Sequence, residues 1–119
     1  MAFNENTAQR IREYFLLKNA NFSEKKMFGG ICFMVEDKMC CGTHIDKESG
    51  EDLLLCRIDE EFYSQALEME NVIPMKFTGK AMNGYVYVLE RGFKSVKELT
   101  YWLELCLAFN PKAKASKKK

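Results

Sequence analysis

Between residues 28 and 89 the apolar residues fall into short runs, none longer than eight residues, with Gly, Asp, Asn or Pro between them. Runs of that length suit strands better than helices. Most of the links are too short for the crossover that a parallel pair requires. The pattern therefore predicts an antiparallel sheet of five strands: residues 28–35, Lys38–Ile45, Leu53–Ile58, Met75–Thr78 and Tyr85–Leu89. Glu36-Asp37 is read as the turn of the first hairpin, and Asp46–Glu51 as a polar loop. Thr78–Gly84 is read as a turn-rich connection.

Three helices complete the order α-β-β-β-α-β-β-α. Residues 7–19 carry Ala8, Ile11, Tyr14 and Phe15 on one stripe, with Asn6 or Thr7 as the cap. Asp59 caps a second helix running to about Met69 and burying Phe62, Ala66 and Met69, with Glu60 and Glu61 at the positive end of its dipole. Ser95-Val96-Lys97-Glu98 is a capping box that opens a third helix ending near Phe109. Helices packed on one face of an antiparallel sheet make a two-layer α+β domain. Residues 1–110 are read as that domain and residues 111–119 as a disordered tail.

The net charge of +1 over 119 residues hides an asymmetry. Lys112, Lys114, Lys117, Lys118 and Lys119 all follow Pro111, which leaves 13 basic against 17 acidic residues in the body. A mildly acidic body is unlike a duplex-binding domain. The tail offers at most weak, salt-sensitive attraction to nucleic acid. No apolar stretch is long enough to span a membrane, and no secretory signal opens the chain. The five cysteines, an odd number among apolar neighbours, read as reduced and buried in a cytoplasmic protein.

Two features point to self-association. Leu99, Trp102, Leu103, Leu105, Cys106, Leu107 and Phe109 cover about 200° of the last helix, more than one sheet face buries. The first strand is apolar on both sides, with Ile31, Phe33 and Val35 against Cys32 and Met34. A homodimer is therefore expected, with Trp102, Leu105 and Phe109 as candidate interface residues.

Chemistry is sparse. Gly79-Lys80 lacks the rest of a phosphate loop, and Gly29-Gly30 opens a strand. His44 with Cys41 or Asp46 falls short of a metal set. Cys40 and Cys41, adjacent on a strand, point to opposite faces unless a bulge intervenes. No catalytic residue, metal or cofactor is assigned. Arg57, Lys76 and Lys80 form a candidate anion patch.

Four segments resemble the TfoX N-terminal domain family in the order they occur. They are Lys26–Met34 with Lys38–Gly42, Asp52–Arg57, Pro74–Val88, and Tyr101–Phe109. The resemblance implies a fold similar to type III secretion chaperones, which often dimerise. It also implies kinship with regulators of bacterial natural competence that work with the cyclic-AMP receptor protein. Those longer regulators carry a second domain, whereas this sequence has only the lysine tail after the last helix. The function expected is a non-enzymatic regulatory or protein-binding module, with a transcription regulator as one kind of partner. The alternatives are a small anionic-ligand-binding or enzymatic domain, and weak nucleic-acid binding through the tail.

Overall fold

The computed structural model describes residues 3–27, 29–77 and 79–113, with the backbone alone at Phe77. Three helices and six strands follow in the order α1 (Glu5–Leu17), β1 (Phe22–Met27), β2 (Gly30–Val35), β3 (Lys38–Ile45), β4 (Asp52–Arg57), α2 (Glu60–Leu67), β5 (Val72–Phe77), β6 (Lys80–Leu89) and α3 (Val96–Phe109). The order read from the sequence holds, with one strand added. β1 is polar, Phe-Ser-Glu-Lys-Lys-Met, and mostly exposed at the sheet edge, so it carries no apolar alternation to announce it. Phe28 and Thr78, which close the expected strand limits, lie outside the described residues.

The sheet is antiparallel throughout, in the order β1-β2-β3-β4-β6-β5. Pro74 sits in β5, an edge strand, where its missing N–H costs no ladder bond on the open side. Glu36 and Asp37 both adopt positive φ, as a two-residue hairpin turn requires. Gly30 has no room for a side chain: a Cβ there would sit 2.2 Å from the Thr43 carbonyl oxygen and 2.3 Å from the His44 Cβ.

The caps show how locally each helix is specified. Asn4, not Asn6 or Thr7, caps α1, its side chain accepting from the Asn6 N–H at 2.8 Å. Thr7 is instead buried and donates to Asp52, which also accepts from Thr43 and so ties α1 to β3 and β4. Asp59 caps α2, and the Ser95–Glu98 capping box opens α3. α2 ends at Leu67, so Met69 falls beyond it and is exposed, contrary to the burial expected of it.

All three helices lie on one face. The core there joins Ala8, Ile11 and Phe15 of α1 to Phe33, Leu54, Val86 and Val88 of the sheet, with Leu99, Trp102, Leu103 and Cys106 of α3. α3 runs over β3 and β4 at the sheet centre, with α1 on one flank and α2, over β5 and β6, on the other. A helix in that central position needs apolar residues toward the sheet and toward both neighbours. This accounts for its wide apolar arc without a second chain.

The opposite face has no helix, yet it is not wet. Cys32, Met34, Met39, Leu55 and Met75 are buried in a second cluster, with Met27, Met82, Tyr85 and Tyr87 packed against it. Long, unbranched methionines lie across the sheet and cover it. The apolar second face of β2 is thereby satisfied within the chain.

Two register shifts shape these faces. On β3, Cys40 is an extra residue between the pairs Phe33↔Cys41 and Met34↔Met39. On β6, residues 82–85 lie opposite the single residue Met75 of β5. After α3 the chain continues as a 3-10 turn, Asn110–Lys112, packed against the domain as far as Ala113. Asn110 donates to the Val35 carbonyl at 3.1 Å, Lys112 reaches Asp59 at 3.3 Å, and Ala113 is buried. Residues 114–119, the rest of the expected tail, lie outside the described residues.

Candidate functional site

The helix layer carries the most prominent exposed apolar side chains among the described residues. Leu17 is 83% exposed and Leu16 64% at the end of α1, and Val96 is 76% exposed at the start of α3. Leu17 and Val96 line the two sides of a groove of about 160 Å³ between α1 and α3, with Glu13 and Thr100 along its walls. Arg10 sets the spacing of the two helices. Its guanidinium donates to the carbonyls of Phe93, Lys94 and Ser95, at 3.1, 3.0 and 3.3 Å, immediately before α3. Arg12 fixes the other side of α1 to β1 by gripping both carboxylate oxygens of Glu24. Tyr101, 43% exposed, extends the apolar surface along α3 toward Met69.

Sequence reasoning placed the interface further along α3. Trp102 is withdrawn from the surface into the core, because it faces the sheet from the central helix. Leu105 and Phe109 are half-buried, lining a cleft shared with Phe62 of α2. The residues that are exposed had a readable signal. Leu16 and Leu17 fall off the Ala8–Ile11–Phe15 stripe, so α1 has no core position for them.

Arg57, Lys76 and Lys80 are not brought together. Arg57 donates to the Met39 carbonyl at 3.2 Å, and its guanidinium lies 5.4 Å from the Tyr85 ring centre and 5.9 Å from that of Phe109. Lys76 and Lys80 are exposed near the far end of the β5–β6 hairpin. Lys76 borders a cleft of about 530 Å³ whose other wall holds Asp46, Glu48 and Glu51. That acidic loop opposes the attraction of an anion.

His44 and Cys41 lie on opposite faces. His44 packs its ring 5.1 Å from that of Tyr87 on the methionine face, and desolvation holds its pKa below the usual value, favouring neutral imidazole. Cys41 belongs to the helix-side core. Among the described residues no group of three His, Cys, Asp or Glu side chains is arranged to hold a metal ion. The bulge at Cys40 changes the reading of the cysteine pair: both Cys40 and Cys41 point to the helix side.

The model of the TfoX N-terminal domain family matches residues 15–110, most of the chain. The chain belongs to the TfoX N-terminal domain family. A crystal structure of a protein from Pseudomonas syringae is similar to this TfoX N-terminal domain, with a TM-score of 0.56 at 14% identity over 80% of this chain and 93% of that one. At that identity the likeness speaks for the fold alone. No curated protein matches the sequence. No helix among the described residues is long and apolar enough to cross a membrane.

Proposed function

We propose that this TfoX N-terminal domain is a non-catalytic, protein-binding module of the regulator type, docking through the α1–α3 groove. The observation that supports this most is the exposure of Leu17 and Val96 on the two sides of that groove. Apolar side chains left outside a core that is otherwise closed on both sheet faces mark a surface for a partner. The partner that suits it is an apolar segment of another protein, such as a transcription regulator. Self-association through the same exposed Leu17 and Val96 is a second use of this surface. Recovery of partners from cells expressing the protein, comparing wild type with Leu17→Asp/Val96→Asp, tests the reading. A specific partner should be captured by wild type and lost from the double variant. Equal capture by both would reject the groove, and sedimentation of the free protein reports on self-association.

A further inference from the structure

On the side of α3 away from the docking groove lies a cleft of about 550 Å³, between the turn after α2 and the first half of α3. That volume suits a small organic molecule. Its loop wall is firmly built. Asn71, at φ 68°, turns the chain into β5, and its carbonyl accepts from the Leu89 N–H at 2.7 Å. Gly92, after β6, packs so closely there that a Cβ would lie 2.7 Å from the Val88 Cγ1 and 3.1 Å from the Asn71 Cβ. A side chain at Gly92 would therefore force this wall apart.

The helix supplies the other wall. Tyr101 is 43% exposed and stands edge-on to Trp102, with ring centres 5.3 Å apart and planes at 81°. Met69, 38% exposed, adds a thioether from the turn after α2. A phenol and a thioether both offer apolar surface to a flat ring.

Two donors of this cleft have no partner among the described residues. Trp102 is 3% exposed, and its indole N–H makes no hydrogen bond there. Yet no described side chain holds an unpartnered polar atom fully enclosed. The indole N–H therefore reaches open space, and the space that Trp102 lines is this cleft. Lys97 is exposed on the same face of α3 as Tyr101 and makes no ion pair among the described residues. The end of α3 is not the anchor. Its capping box closes it and occupies the Glu98 carboxylate, which accepts from the Ser95 N–H and hydroxyl. A withdrawn N–H and an ammonium on one cleft call for an anionic acceptor.

We infer that this cleft binds a small aromatic carboxylate. The ring lies against Tyr101 and Met69. The carboxylate accepts from the Trp102 indole N–H and pairs with the Lys97 ammonium. Glu70, exposed on the rim, repels the anion and limits the affinity. The site is separate from the α1–α3 groove and stands whether or not that groove docks a partner.

The chain has a single tryptophan, so a nitrogen–proton correlation spectrum shows one indole N–H signal and reads the contact directly. Benzoate, phenylacetate and naphthoate are titrated into the full chain at low salt, up to millimolar concentration. At least one should move that signal downfield with saturation, as the N–H gains a charged acceptor. Lys97→Met should weaken binding about tenfold and remove most of its salt dependence. Tyr101→Ala should weaken it severalfold, and Glu70→Gln should tighten it. All three residues are exposed, and the remaining signals report that each variant is folded. The wild-type comparison with phenethylamine, which carries the ring and the opposite charge, carries the test if a variant is not. No movement of the indole signal with any of the three acids would overturn the inference. So would an equal shift with phenethylamine, or an unchanged affinity in Lys97→Met.

Discussion

On β2, Phe33 and Met34 are neighbours in sequence and lie on opposite faces of one sheet. Phe33 is 0% exposed beneath the helices, its ring set against Phe15 and Phe22 at 6.0 and 6.2 Å. Met34 is 7% exposed on a face that no helix covers. The helix-side core uses branched and aromatic side chains that interlock with a second layer. The other face uses methionines, whose unbranched chains settle over a sheet with nothing above it. Burial to a similar degree thus comes from packing between layers on one side and from side-chain length on the other.

That contrast can be broken by measurement. Phe33→Ala should cost about 3–5 kcal/mol in denaturant unfolding, since it opens a cavity between two layers that cannot collapse into it. Met34→Leu, at the next residue, should cost less than about 1.5 kcal/mol, because the volume is kept and the face has no partner to mismatch. If Met34→Leu proved as costly as Phe33→Ala, the methionine face would be as specifically packed as the helix side, and the distinction would fall.

The smallest effect concerns His44, which belongs to the methionine face. Its pKa in the folded chain lies below the ordinary 6.5 because burial disfavours the charged ring. As pH falls through the unfolded value, the unfolded chain takes up a proton that the folded chain resists, so folding stability is lost until the folded pKa is passed. Between about pH 7 and pH 5, wild type should therefore lose more stability than His44→Gln. Parallel curves for the two proteins would mean that His44 is solvated like a free histidine and that this part of the face is open.

Much of the fold was legible because its signals are local. The Asp59 cap, the Ser95–Glu98 box and the Tyr85–Leu89 alternation each depend on a few consecutive residues. β1 was not legible, since an edge strand with Ser23, Glu24, Lys25 and Lys26 owes its state to pairing with β2. The candidate site was legible only in part. Leu16 and Leu17 lie off the Ala8–Ile11–Phe15 stripe, a signal the sequence carries although neither is among the expected site residues, and Val96 occupies an ordinary first helical position. Trp102 was misplaced because a wide apolar arc reads alike on a helix facing a partner and on one flanked by two others. Arg57, Lys76 and Lys80 are all cations in sequence, and only the register of β4, β5 and β6 shows that Arg57 stands apart from the two lysines.

The sequence by itself determined which segments are helix or strand, β1 excepted, where two of the three helices begin, and that the sheet is antiparallel. These follow from backbone preferences and apolar period, which act over a few residues. The tertiary structure decided which surfaces remain open and which cysteines share the helix-side core. The single extra residue at Cys40 reverses the side to which a cysteine points, and the seating of α3 between α1 and α2 turns an apparent interface into core. Both depend on pairings between residues far apart in the chain, whose energies no local pattern carries.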